Sequence, residues 1–200
     1  MSIAPLLPFR SAAGELPRKR FTRQEVERFQ EAGVFDGQRY ELIDGDLVDK
    51  MGQNPPHAFS IRLIQAWLAS IFGAVRVGIQ LPVEAAGEDR ERSLPEPDVA
   101  VLAEDKPEYQ KRHPRCDELL LAVEVSDTTA AFDLTRKAAI YANARVPEYW
   151  VVDLSRRMLV VHRNPGGPAY RLVQLFSAAD TVTMEGRTEV LTVGEILPEE

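Results

Sequence analysis

Three acids and one lysine stand where the pattern of this chain calls for other residue types. In the stretch LLLAVEVS, alternation puts Leu120, Ala122, Glu124 and Ser126 on one face of a strand and Leu119, Leu121, Val123 and Val125 on the other. The almost continuous apolar run marks a central strand buried on both faces. A lone carboxylate in such a place costs several kcal/mol or takes up a proton. Glu124 therefore needs a cation, whether a metal, a lysine or an arginine. Asp98 opens the apolar stretch PDVAVL directly after Pro97. Taken singly, Asp98 reads as a strand-edge residue facing water, and Glu124 is equally well one half of a structural ion pair. Taken together on two neighbouring strands they point to a hard cation such as Mg²⁺, which takes oxygen ligands from a few carboxylates.

The stretch DLTRKAAIYANAR is helical, with Leu134, Ala138 and Tyr141 on one face and Lys137 beside it. Helical side chains lean toward the helix start, and this helix follows the Glu124 strand after a short loop. Lys137 is thereby able to reach back toward that carboxylate. The plain alternatives are a lysine stem lying over the core edge with its ammonium in water, or a surface pair with Asp133 four residues earlier, which is worth little. Glu41, in YELIDGDL, is the third candidate acid; alternation leaves its face open, and a solvated strand glutamate is the simpler reading. His57 follows Pro55-Pro56 near a helix start, where a lone histidine reads as a capping or surface group. Tyr141 reads as a packing residue.

The elements that must hold these residues follow from turn and cap signals. FTRQEVERFQEAG opens a helix with the capping box Thr22–Glu25 and closes it at Gly33. RYELIDGDLVDKM is a hairpin about Asp44-Gly45. A second helix runs over residues 57–72, with Ile61, Ile64, Leu68, Ile71 and Phe72 at helical spacing. Strands are expected over VRVGIQLPVEA, PDVAVL, DELLLAVEVSD, EYWVVDL and MLVVHRN, with YRLVQLF and TVTME forming a β-rich tail. The charged segment 104–114 reads as a mobile loop. Residues 1–18, with Pro5, Pro8 and Pro17, form an irregular arm, and residues 19–200 one domain. The fold class is α/β, a mixed sheet flanked by helices.

Composition narrows the class. With 200 residues, 44% hydrophobic and 28% charged, the chain is a globular domain with a sizeable core, so disordered, collagen-like and coiled-coil readings fall away. The single cysteine, Cys116, builds neither a disulfide nor a thiolate metal site, and it fits a reducing, cytoplasmic compartment. No apolar stretch approaches the roughly 18 residues of a membrane span, and MSIAPLLPFR, without a charged start and a long apolar run, is not expected to be a secretory signal. The net charge of −7 speaks against a protein that coats nucleic acid, and it weakens without excluding an enzyme that cuts nucleic acid, which needs only a local basic surface. Candidates for that surface are Arg18-Lys19-Arg20, Arg90 with Arg92, and Lys111, Arg112 and Arg115.

YELIDGDL, PPHAFSIRLIQAWL, PEPDVAVL, LLLAVEVSD and DLTRKAAIYANARVPEYWVVD, in this order and spacing, resemble the Uma2 family of restriction-endonuclease-like proteins, within the PD-(D/E)XK nuclease superfamily. The likeness spans residues 21–163. It implies a restriction-endonuclease-like core and metal-dependent hydrolysis of phosphodiesters. By position, Asp98 matches the motif aspartate, Glu124 the motif acid, and Glu41 the acid of the early YEL segment. Lys137 matches a helix lysine standing in for the motif lysine, which the superfamily usually carries two residues after the acid; that position is Ser126 here. The resemblance implies that Asp98, Glu124 and the Val125 main-chain carbonyl hold Mg²⁺, with Mn²⁺ as a substitute, and that Glu41 binds the same ion through water or helps place a second. The expected partner is nucleic acid, DNA in particular, cut by a homodimer. The competing expectations are a nuclease-fold binding or assembly module with weak or no catalysis, favoured by the negative charge and by Ser126, and a hydrolase of a small phosphorylated compound.

Overall fold

The computed structural model describes residues 18–50 and 52–199. The irregular arm expected over residues 1–18 lies, apart from Arg18, outside the described residues. Helix α1 (Arg23–Glu31) begins at the capping box: Thr22 Oγ1 accepts the Glu25 N–H at 3.2 Å, and Glu25 Oε2 accepts the Thr22 N–H at 2.8 Å. Strands β1 (Tyr40–Ile43) and β2 (Asp46–Asp49) then form the hairpin. Asp44 and Gly45 both take positive φ, 50° and 78°, as the tight hairpin turn requires. A Cβ on Gly45 would stand 2.9 Å from that of Arg20, so space as well as backbone conformation selects glycine.

Helix α2 (Pro55–Phe72) starts two residues earlier than its apolar periodicity alone suggests. Pro55 and Pro56 fill the first turn, where a missing N–H breaks no helical bond. Its buried stripe of Ile61, Ile64, Leu68 and Phe72 lies on one face of a six-stranded sheet. Ile64 and Leu68 are fully enclosed, and each contributes about 2 kcal/mol of hydrophobic stabilisation.

The sheet runs β3 (Val77–Ile79), β4 (Val99–Leu102), β5 (Leu119–Ser126), β6 (Glu148–Asp153), β7 (Met158–Pro165) and β8 (Tyr170–Ser177), side by side in chain order. Only β5 and β6 pair in parallel; the other neighbours are antiparallel. A parallel pair needs a crossover, and helix α3 supplies it as three consecutive segments, Ala130–Phe132, Asp133–Lys137 and Ala138–Asn143, the middle one wound as a π turn. Helix α3 covers the face opposite α2, packing Ala138, Tyr141 and Ala142 on Ala100, Ala122, Tyr149 and Val151. Trp67 of α2 stacks on Trp150, with ring centroids 6.0 Å apart.

Three expectations change. The strand foreseen over VRVGIQLPVEA stops at Ile79: Gln80 turns left-handed at φ 47°, and Glu84 rejoins only as an isolated bridge to Arg115. In β5, Val101 faces Leu121 but Leu102 faces Leu119, so Leu120 is the extra residue of a bulge. Leu119 therefore joins Ala122 on the α3 face and Leu120 packs on the α2 side, while the parity from Leu121 onward stands. The segment 104–114 is not a loose loop: it holds the short turn Pro107–Gln110, and Arg112 and Lys106 bond Glu118 at 2.8 and 3.1 Å. The tail, with β9 (Thr181–Val182) and β10 (Leu191–Thr192), buries Val182, Met184, Leu191, Val193 and Ile196 against the α2 side and so finishes the core of its own chain. Among the described residues no helix is long and apolar enough to cross a membrane.

Candidate active site

Glu124 lies near the C-terminal end of β5, where the crossover begins. Helix α3 returns over the same face, and its π turn carries both Asp133 and Lys137 inward. The Ala138 N–H bonds the Asp133 carbonyl, the wide spacing of a π turn, and the Tyr149 hydroxyl donates to the same oxygen at 3.0 Å. Lys137 Nζ stands 3.0 Å from Glu124 Oε1, 2.8 Å from Glu41 Oε1 and 3.8 Å from Asp133 Oδ1. The Tyr141 hydroxyl donates to Glu124 Oε1 at 3.2 Å. Asp133 is held in turn by the hydroxyls of Ser126 and Thr129, both on Oδ2, at 2.7 and 2.8 Å.

Asp98 immediately precedes β4. Val99 pairs with Val123, which sets Asp98 across from Glu124. Its Oδ2 accepts the Val125 N–H at 2.9 Å and lies 3.2 Å from His57 Nε2. Glu41 arrives from the hairpin, which is fastened to the segment before β4 by Leu94 N–H to Leu42 O at 2.8 Å and Gly45 N–H to Arg92 O at 2.7 Å. An Arg136–Asp44 ion pair ties the same hairpin to α3. Glu41 Oε2 accepts the Glu96 N–H at 3.2 Å. Glu41, Asp98, Glu124 and Lys137 all line one cleft of about 220 Å³, together with Val125, His57, Asp133, Lys50, Asn54 and Asp127. Their own exposure is small: 6% for Glu41, 4% for Asp98, 3% for Glu124 and 3% for Lys137.

The electrostatics follow from burial and crowding. Burial works against the Lys137 charge, but Glu124, Glu41 and Asp133 outweigh it and hold the ammonium charged well above the ordinary lysine range. Glu124 moves the other way for a carboxylate: burial, and then the charges of Asp98, Asp133 and Glu41, raise it well above its usual range against the pull of Lys137. Asp133 is raised by burial in the same manner. Burial would also raise Asp98, yet the hydrogen bond and charge of His57, with the Val125 N–H, bring it below the usual range. His57 is raised in return, Asp98 overcoming the effect of burial. The cleft is lined by the acids Glu41, Asp49, Asp98, Glu124, Asp127 and Asp133 against Lys50, Lys137 and His57, an excess of negative charge.

The donor chemistry suits a hard divalent cation, since Asp98 and Glu124 offer carboxylate oxygens from adjacent strands. Their contacts fall on Oδ2 and Oε1, so each has a second oxygen outside them. The cage is not preformed: among the described residues no three His, Cys, Asp or Glu side chains of the cleft stand closely enough to hold one ion as they are. The Lys137 ammonium stands between Glu41 and Glu124 instead. Cys116 is fully buried, and burial pushes its thiol far up, which removes it as a nucleophile.

His57 and Asp133, which read from the chain as a capping group and a surface partner, both stand in this network. The signal for Asp133 was its spacing of four from Lys137; for His57 there was none beyond its place at the start of α2. Four residues of the expected basic clusters are spent on local acids. Lys19 pairs with Glu25 at 2.7 Å, Arg20 with Asp46 at 2.7 Å, Arg112 with Glu118 at 2.8 Å and Arg115 with Asp117 at 3.1 Å.

The mixed sheet with helices on both faces is a restriction-endonuclease-like α/β fold. The chain belongs to the Uma2 family: residues 23–193 match its family model, described as "Putative restriction endonuclease". It is similar in structure to a protein from Anabaena variabilis ATCC 29413 described as a "putative nuclease", with a TM-score of 0.59 and 12% identity over 80% of this chain and 90% of that chain. At that identity the likeness speaks to fold alone. A comparison with curated proteins finds no match.

Proposed function

We propose that this protein is a metal-dependent endonuclease that hydrolyses phosphodiester bonds of nucleic acid, DNA in particular. The observation that carries the reading is the convergence of Glu41, Asp98, Glu124 and Lys137 on one cleft, with the Lys137 ammonium 2.8 Å from one acid and 3.0 Å from another. Family membership supports it. Asp98 and Glu124 would hold Mg²⁺ or Mn²⁺ with the Val125 carbonyl, and Glu41 would add a ligand through water. Such an ion supplies a Lewis acid for the phosphate and a bound water of lowered pKa. The surplus of acids argues for this requirement, because a phosphate entering so negative a cleft needs added positive charge.

The side chains do the rest. Lys137, charged and anchored on α3, orients the attacking water or offsets charge developing on the phosphate oxygens. Asp133, fixed by Ser126 and Thr129, keeps the lysine turned inward. Ser126 thus occupies the usual lysine position and supports the lysine that replaces it. Cutting both strands of a duplex calls for two such sites, which a two-fold homodimer supplies.

The second reading, a nuclease fold that binds without cutting, is favoured by the absence of a preformed cage among the described residues. Cleavage of plasmid and single-stranded DNA with Mg²⁺ or Mn²⁺ separates the two. Cutting that stops with chelator, with Asp98→Asn and with Lys137→Ala is the expected result. Metal-dependent cutting that persists in both variants refutes this site, and no cutting by the wild type under any condition favours the binding module.

A further inference from the structure

We propose that His57 is a positioning residue of this cleft: its Nε2–H fixes Asp98 Oδ2 and leaves Oδ1 to the divalent ion. The inference rests on the metal-dependent reading above and adds a residue to it.

Asp98 follows Pro97 and precedes β4, so no helix or tight turn of its own orients its side chain. Two donors do so from outside, the Val125 N–H at 2.9 Å and His57 Nε2 at 3.2 Å, and both meet the same oxygen. An oxygen taken from two directions fixes the carboxylate plane. The main-chain donor comes with the strand; the imidazole is the contribution of a side chain.

That imidazole is itself held at the end of a rigid lever. Its backbone N–H is capped by Asn54 Oδ1 at 3.0 Å, and Asn54 Nδ2 donates to Asp127 at 2.9 Å, which ties the start of α2 to the loop after β5. One and two turns further on, Ile61 and Ile64 sink the helix into the sheet. His57 Nδ1 is buried and makes no hydrogen bond among the described residues. The ring is aimed at Asp98, with the Val125 main-chain carbonyl beside it. Groups that hold a metal ligand in this way typically cost 10–100-fold in metal affinity when removed.

The test measures Mn²⁺ binding to the full chain by the loss of the free-ion paramagnetic resonance signal, with calorimetry, and compares metal-free thermal unfolding. His57→Ala is expected to weaken Mn²⁺ binding about 10–100-fold. His57→Gln, whose Nε2 can stand near the place of the imidazole Nε2, is expected to restore binding to within about threefold, whereas the shorter His57→Asn behaves like alanine. The metal-free unfolding temperatures of the Gln and Asn variants are expected to agree, which a purely structural role would not produce. If His57→Ala does not fold, the Gln and Asn pair makes the same comparison. Alanine or asparagine variants that bind Mn²⁺ like the wild type, or a loss that glutamine does not repair, overturn the proposal while leaving the metal-dependent reading intact. A folded wild type that binds no Mn²⁺ overturns that reading itself and this proposal with it.

Discussion

Glu41 Oε1 lies 2.8 Å from Lys137 Nζ, although one residue comes from the hairpin after the first helix and the other from the crossover helix between the two parallel strands. The contact closes the cleft from a side that the central sheet does not reach. It also gathers an ammonium and several carboxylates out of water, where desolvation offsets much of their attraction. Such a cluster is weak as a device for stability, and its placement in an open cleft suits chemistry.

Removing the ammonium alone leaves Glu41, Glu124 and Asp133 facing one another without a counter-charge. Lys137→Met is expected to lower stability by about 3 kcal/mol at pH 7 in urea unfolding. Adding Glu124→Gln to that variant relieves the repulsion and is expected to return more than half of the loss without returning cleavage. A Lys137→Met protein as stable as the wild type would show that these acids do not depend on the ammonium.

Ser126 stands two residues after Glu124, fully buried, with its hydroxyl on Asp133. Truncating Lys137 empties the neighbouring space. Lys137→Ala is expected to reduce cleavage about 10²–10³-fold. Ser126→Lys in that background carries an ammonium to the same acids from the strand and is expected to recover about tenfold of it. Single-turnover cleavage on samples of matched circular dichroism decides the matter. A folded double variant no faster than Lys137→Ala would place the working lysine geometry beyond the reach of position 126.

How much of this was legible in the chain depends on the range of the contact. Alternation marked Glu124 as a buried charge, because the parity of β5 is undisturbed beyond the bulge at Leu120. The hairpin turn and the first cap were equally local and read directly. Glu41 could not be oriented from its own strand, since its burial comes from Leu94, Arg92 and Arg136 holding the hairpin down. Asp133 looked like a surface partner of Lys137; a π turn, which ordinary helical spacing does not foresee, turns it inward. His57 looked like a cap because its role depends on Asp98, distant in sequence. The basic clusters looked available because their acidic partners, such as Asp46 for Arg20 and Glu118 for Arg112, become neighbours only on folding.

His162 gives the fold a pH dependence that does not involve the cleft. It is buried between Tyr149 and Tyr170, with ring centroids at 5.3 and 5.6 Å, and Nδ1 lies 3.2 Å from the Tyr149 carbonyl. Burial pushes its pKa down to about 4, against about 6.5 in the unfolded chain. The unfolded state therefore binds the proton first as pH falls. The stability associated with neutral His162 is complete above about pH 6.5 and drains away between there and about pH 4. Urea unfolding is expected to show about 2 kcal/mol less stability at pH 5 than at pH 7 from this group. His162→Phe is expected to flatten that interval; an unchanged slope in the variant would assign the proton uptake elsewhere.

Removal of divalent ions separates a metal that serves chemistry from one that serves the fold. In this cleft the acids already have protein partners: Lys137 holds Glu41 and Glu124, and His57 holds Asp98. The folded state thus has internal counter-charges and is expected to assemble without an ion, unlike a small domain built around structural zinc. Chelator is expected to abolish cleavage while leaving the unfolding temperature nearly unchanged. Restoring Mg²⁺ at ten times its dissociation constant adds about 1.4 kcal/mol by mass action, which for a chain of this size raises the unfolding temperature by about 3 °C. In Asp98→Asn and Glu124→Gln that increment is expected to vanish, because the oxygens that distinguish bound from free ion are gone. Unfolding on chelation would make the ion structural, and an undiminished increment in both variants would move it out of this cleft.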